Sequence, residues 1–329
     1  MFNKKDLSKK VFKTCFKHCL DPEFPDYLKA AFLEAARLKR ETFDENMATL
    51  EVLWSKSKRS KTKLPVLIDI ASSYDGFDRN PGLMMFSACI LAALGYPTLL
   101  HGVEKVGPKY GLTTHKLLNY FGKNPLKSMS YTLEDLEDPS VGWGYVDQSV
   151  YFPELFALQE LRHDMVKRPV ISTIEKLLQP IQTKNGNHLI TGYTHPGYKT
   201  MLSTILKEQK ASPISLLVRG LEGSAQLPLD RQAPILTITK NDIADNFIRP
   251  SDFDIPEIGY NTDLKFNEEF CMNEGLKALD NNTGPIRNMI IYNTASILFK
   301  FGLMDKKQIL NSINTVLKNK SALDCFDNF

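Results

Sequence analysis

Four stretches decide the fold: Leu64-Pro-Val-Leu-Ile-Asp-Ile70, Ser72-Ser-Tyr-Asp-Gly-Phe-Asp-Arg-Asn-Pro-Gly82, Leu83 to Leu94, and Thr98-Leu-Leu100. The first is a short apolar run of the kind buried on both faces of a sheet. The second is a turn-rich loop. The third has the length and composition of a helix, and Gly95 closes it. The fourth starts a second strand. Strand, loop, helix and strand in that order predict a βαβ unit and a parallel sheet.

Working outward, further strands are predicted at Ile214–Val218 and Ile235–Ile238, and a helix near Lys199–Gln209. Helices return at Asn267–Leu279, Asn288–Phe301 and Lys306–Leu317. Upstream, residues 1–54 read as helices only. Leu7, Val11, Phe12, Cys15, Phe16 and Cys19 recur at helical spacing with lysines between them. Asp26 can cap a second helix, and Thr42 with Glu45 is a capping box for a third. Ser55 to Lys63 is a basic polar linker. The prediction is an α/β protein with a small all-helical N-terminal lobe and a larger lobe around a central, mostly parallel sheet. Residues 1–62, with about 150–180 packed on them, form the helical lobe, and 63–329 form the other.

The chain has 329 residues, 43% of them hydrophobic and 24% charged, which excludes wholesale disorder. Net charge is only +3, but residues 1–65 carry 15 basic and nine acidic side chains. The charge is therefore concentrated at the N-terminal end. Five cysteines make an odd set with no disulfide framework. Cys15-Phe-Lys-His-Cys19 lacks a second ligand pair for a metal site. No apolar run approaches a membrane span, and the first twenty residues lack a secretory signal pattern. A cytoplasmic protein without membrane attachment is expected.

Several residues could carry chemistry. Ser73, Tyr74, Asp75, Gly76 and Arg79 lie in a loop between a strand and a helix, where backbone N–H groups can cradle phosphate. An ordinary strand–helix connection is the competing reading. His101 and Gly102 follow the second strand, with Lys109 beyond them. Strand C-terminal ends are where α/β proteins bind ligands, although a lone histidine there is more often structural. Arg219 and Glu222 follow a later strand in Arg219-Gly-Leu-Glu-Gly223. Glu222 can bind metal or pair with an arginine, and pairing is the favoured reading. Arg162, Lys167 and Arg168 form a positive cluster, a pattern that is ordinarily a solvated face. No catalytic residue can be assigned, because the six histidines do not cluster.

These pieces resemble the anthranilate phosphoribosyltransferase (TrpD) superfamily, glycosyltransferase family 3. Ala31-Phe-Leu-Glu-Ala-Ala-Arg-Leu-Lys-Arg-Glu-Thr42 is similar to its A-F-L-x-A-x-R-x-K-G-E-T motif. Arg162 and Arg168 match the arginines of V-R-x-x-L-G-x-R-T, Leu177-Leu-Gln-Pro180 stands at G-P-L-x-N-P, and Asn293-Thr-Ala295 is similar to N-A-A. The departures are equally specific. Ser72-Ser-Tyr-Asp-Gly76 replaces G-T-G-G-D, Gly82-Leu-Met-Met85 replaces N-I-S-T, Gly107-Pro108 replaces a Ser-Ser pair, and Ala225-Gln226 replaces the magnesium-binding Asp-Glu pair.

The departed pattern is similar to the TrpD-like YbiB branch, through Ser73-Tyr-Asp-Gly76, His101-Gly-Val103, Thr173-Ile-Glu-Lys-Leu177 with Pro180, Thr194-His-Pro-Gly-Tyr198 and Gly220-Leu-Glu-Gly223. That branch implies a homodimer binding DNA or RNA with little sequence preference. The basic linker residues Lys56, Lys58, Arg59, Lys61 and Lys63, with Lys167, are then the expected nucleic-acid contacts. The alternative is a phosphoribosyl- or glycosyltransferase with an altered donor or acceptor, taking a phosphorylated sugar. No cofactor is expected, and magnesium only under that alternative.

Overall fold

In the computed structural model, which describes residues 5–259 and 264–329, the chain begins with helices α1 (Lys9–Cys19), α2 (Asp26–Lys39) and α3 (Phe43–Lys56). Thr42 and Glu45 form the capping box: Thr42 Oγ1 accepts from the Glu45 N–H, and Glu45 accepts from the Thr42 N–H. Asp26 differs from expectation. It is the first helical residue, and Pro25 holds the N-cap position.

Among the described residues nine strands follow: β1 (Ser60–Lys61), β2 (Ile68–Ala71), β3 (Thr98–Gly102), β4 (Trp143–Asp147), β5 (Ile181–Gln182), β6 (His188–Gly192), β7 (Ile214–Val218), β8 (Ala233–Thr239) and β9 (Ile243–Ile248). Seven form one sheet in the order β4-β3-β2-β6-β7-β8-β9. The first five are mutually parallel, and β8 and β9 complete the sheet antiparallel. β2 is central and wholly buried. That is why its sequence is an apolar run rather than an alternation.

Each face of the sheet has its own core. Ile68, Ile70, Leu100, Trp143, Ile190 and Leu216 point to one face, against helix α4 (Met84–Ala93) and the C-terminal helices. The intervening residues Ala71, Leu99, Val146, Leu189 and Leu217 point to the other, against α1, α3 and the short helices between Tyr151 and Leu178. The period-two alternation of side chains assigns the faces. Two further helices, α5 (Thr114–Tyr120) and α6 (Met129–Glu137), lie between β3 and β4.

The segment that carries Arg162 is two short helices, Pro153–Phe156 and Gln159–Met165, and Val166, with a φ of 56°, stops the second. The linker is ordered, not free. Its Ser60-Lys61 pairs with β5, and Glu137 at the end of α6 accepts from Thr62 Oγ1 and the Lys63 N–H. These partners precede β6 and β4, so this part of the linker lies where the strands begin. Among the described residues no helix is long and apolar enough to cross a membrane.

Candidate functional site

The C-terminal ends of β2, β3, β6 and β7 bring three loops together. After β2, the chain must turn sharply at Gly76. Its φ is +76°, and a Cβ there would sit 2.5 Å from the Gly111 carbonyl carbon, so only glycine fits. Ser73 Oγ donates to Asp75 Oδ1 at 2.9 Å. The other Asp75 oxygen accepts from Arg168 Nε at 3.0 Å. Arg168 comes from the segment after the helix Gln159–Met165, so this ion pair ties that segment to the β2 loop. Tyr110 and His163 make a second such tie through the phenol and Nδ1.

Glu222 is the hub of the next loop. Its carboxylate accepts from the Asp78 and Arg79 N–H groups at 3.1 and 2.9 Å, from Asn80 Nδ2 at 2.9 Å and from Lys109 Nζ at 3.0 Å. Burial pushes Glu222 up, but Asn80, the Arg79 N–H and Lys109 outweigh it and hold the carboxyl below its ordinary value. The loop N–H groups expected to cradle phosphate therefore already hold an anion of the protein itself. The partner of Glu222 is a lysine and not an arginine. The Arg79 and Arg219 side chains are exposed beside these loops.

Lys176 was not singled out by its sequence context. It is buried, and its Nζ lies 2.5 Å from Gly192 O and 3.3 Å from Gly223 O. Burial pushes it down to about 8, against the attraction of Asp75 and Glu175. The signal available was its place in the Thr173–Leu177 stretch.

Three expected ligand residues face inward. His101 is fully buried, with Nε2 3.1 Å from Asp69 Oδ1 and Nδ1 2.7 Å from the Tyr74 hydroxyl. Tyr74 in turn meets the Tyr151 hydroxyl at 2.8 Å. Burial raises both phenols well above their ordinary value, so the two tyrosines stay neutral. Arg162 is 2% exposed and makes a bidentate pair with Glu175 at 2.8 and 2.9 Å. All three are engaged by side chains of the protein itself, although Arg162 Nε is buried without a hydrogen-bond partner. Gly102 is buried beside the Tyr145 hydroxyl.

Ser72, Ser73, Thr113, Thr114 and Ser224 line a cavity of about 20 Å³ at the strand ends. That is room for about one water.

Solved structures share this architecture end to end. The Thermus thermophilus anthranilate phosphoribosyltransferase (TrpD) superposes with a TM-score of 0.81 at 17% identity, over 99% of this chain and 96% of that one. The Saccharomyces cerevisiae enzyme in complex with PRPP and Mg gives 0.81 at 15%, over 98% and 92%. The chain has the anthranilate phosphoribosyltransferase fold. It is TrpD-like in sequence as well. It is 22% identical to the Endomicrobium trichonymphae anthranilate phosphoribosyltransferase over 99% of its own length and 95% of the relative's. An uncharacterized Aquifex aeolicus protein is 26% identical over 70% of this chain and 67% of the other. No protein-family model matches.

Magnesium does not fit this TrpD-like site in the manner its resemblance implies. Ala225 has no ligand atom. Gln226 is fully committed: Oε1 accepts from the Leu83 N–H at 2.8 Å, and Nε2 donates to Pro81 O at 2.8 Å. It braces the loop ahead of α4. Among the described residues no group of three or more His, Cys, Asp or Glu side chains could hold a metal ion.

Of the nucleic-acid candidates, Lys56, Lys58, Lys61, Lys63 and Lys167 are exposed. Arg59 turns inward over the Trp54 ring, 5.1 Å from its centroid, and Nε reaches Gln179 O. The linker's second half sits at the strand beginnings, Arg168 at the strand ends.

Proposed function

We propose that this TrpD-like chain is a nucleic-acid-binding homodimer that does not carry out magnesium-dependent phosphoribosyl transfer. The surroundings of Tyr198, in the α-helix Pro196–Glu208 after β6, carry the reading. Tyr198, 41% exposed, stands within the electrostatic reach of Glu41 and of Arg168, Arg37 and Arg40, Arg37 being paired with Glu34. Lys167 lies nearby, close enough to act on Glu34. An exposed aromatic ring among guanidinium groups offers a base to stack on and phosphates to contact, with little sequence preference. The donor-binding features work in the same direction, since Glu222 fills the N–H cradle and Gln226 stands where a carboxylate would be needed.

The homodimer would pack through the groove of about 500 Å³ between α2 and Gln159–Met165, where Ala30, Ala31, Leu161 and Met165 lie between the charged Glu34, Asp164 and Lys167 at its edge. Tyr27, Leu38 and Val166 are exposed on the same elements or next to them. The free cysteines suit the cytoplasm.

Fluorescence anisotropy with labelled single-stranded DNA across a salt series tests the reading. Replacing Arg40, Lys167 and Arg168 with Ser should weaken binding to all sequences alike. The log affinity against log salt slope should flatten by roughly 0.7 per lost contact. Unchanged affinity and slope would refute it. The second reading, a transferase, is favoured by what the relatives are called. Anthranilate consumption with phosphoribosyl pyrophosphate and magnesium would establish it, and none is expected.

A further inference from the structure

Lys109 lies in the loop between β3 and α5. Its Nζ is 2.5 Å from Gly76 O, 3.0 Å from Glu222 Oε2 and 3.5 Å from Asp75 Oδ1. The Asp75 and Glu222 side chains are 13% and 3% exposed. Two carboxylates and a carbonyl, converging from two loops, are the oxygen donor set of a hard divalent cation. The cation seated among them is an ammonium. We propose that Lys109 is a built-in cation that takes the place of a divalent metal between Asp75 and Glu222, so that the crevice orders its loops and meets its ligand without metal.

The charges close. Asp75 and Glu222 are matched by Lys109 and Arg168, and an ammonium has three donors for the three oxygens. An added divalent ion would find no free face on either carboxylate. The Asp75 oxygens also serve Ser73 and Arg168, and those of Glu222 serve the 78–80 loop. Lys176 is likewise held by oxygens, though by backbone carbonyls alone, with its Nζ on those of Gly192 and Gly223. Two lysine ammonium groups thus sit in oxygen-lined positions at strand ends whose Ala225-Gln226 pair offers no carboxylate. A phosphate-bearing ligand would meet point charges fixed by the chain instead of a metal ion. This inference does not depend on the nucleic-acid reading.

Electron paramagnetic resonance of Mn²⁺ titrated into the full chain tests it, with thermal melting in EDTA and in Mg²⁺ alongside. The wild type should take up no Mn²⁺ in the crevice and melt at the same temperature in both buffers. Lys109→Ala should gain one Mn²⁺ site, with a dissociation constant of about 10⁻⁴–10⁻³ M, the range of weak oxygen-ligand sites. Lys109→Ala combined with Glu222→Gln should lose that site at least tenfold. Wild-type Mn²⁺ uptake that disappears in Glu222→Gln would overturn the proposal. So would a folded Lys109→Ala that binds none. If Lys109→Ala does not fold in EDTA, refolding decides: recovery in Mn²⁺ supports the proposal, and failure in Mn²⁺, Mg²⁺ and Ca²⁺ alike overturns it.

Discussion

Lys176 shows how far a single residue's role depends on its surroundings. The side chain is held by two backbone carbonyls, and burial lowers it from 10.5 to about 8. Below pH 8 it is charged in both folded and unfolded chains, and the fold bears the cost of burying that charge. Between about 8 and 10.5 the unfolded chain binds the extra proton, so stability from this group rises with pH. Urea unfolding of the wild type and Lys176→Met at pH 7.5 and pH 10 should show the difference moving in favour of the wild type at the higher pH. A difference that stays constant, or moves the other way, would contradict the assignment. Arg162 and His101 teach the converse. Their chemistry suggested ligands, yet Glu175 pairs with Arg162 and the Asp69–Tyr74 row holds His101 inside the protein.

Among the elements, the start of α3 was legible because a capping box is local. Thr42 and Glu45 are three residues apart, and their reciprocal hydrogen bonds need nothing else. The structure adds a second function for Glu45. It also accepts from the Leu7 N–H at 3.0 Å and pairs with Lys39 Nζ at 2.5 Å, joining the approach to α1, the end of α2 and the start of α3. Both the Lys39 and Glu45 side chains are nearly inaccessible. Thr42→Ala should therefore cost about 1 kcal/mol, the ordinary value of a cap. Glu45→Ala should cost more, about 1.5–3 kcal/mol, because it removes a hydrogen-bonded carboxylate from a buried Lys39 ammonium that keeps only Asp6, at 2.9 Å. Equal losses in chemical denaturation would mean that Glu45 acts as a cap only. The short strands β4, β6 and β9 were not legible. Trp143-Gly-Tyr-Val-Asp147 and His188-Leu-Ile-Thr-Gly192 carry glycine and polar residues that weaken a strand pattern, and their places in the sheet come from parallel neighbours.

For the whole molecule, the proposed dimer has a direct test. Sedimentation at micromolar concentration should give a dimer for the wild type. Leu38→Asp with Val166→Asp should give a folded monomer, because both positions are exposed in the single chain and a charge there affects only the association. A wild-type monomer, or a variant that remains dimeric, would remove that surface from consideration.

The βαβ order, the mostly parallel sheet and the helical N-terminal lobe were determined by the sequence alone. Apolar period and turn residues act over a few positions, so they can be read in order along the chain. That Ala225-Gln226 carries no carboxylate was equally plain, since it is a matter of residue identity. Which side chains face the crevice was decided only by the tertiary structure. Lys109 and Glu222 are 113 residues apart, and Arg168 and Asp75 are 93 apart. Burial, charge balance and hydrogen-bond partners arise when the sheet brings such distant loops to one end, and no local pattern encodes that meeting.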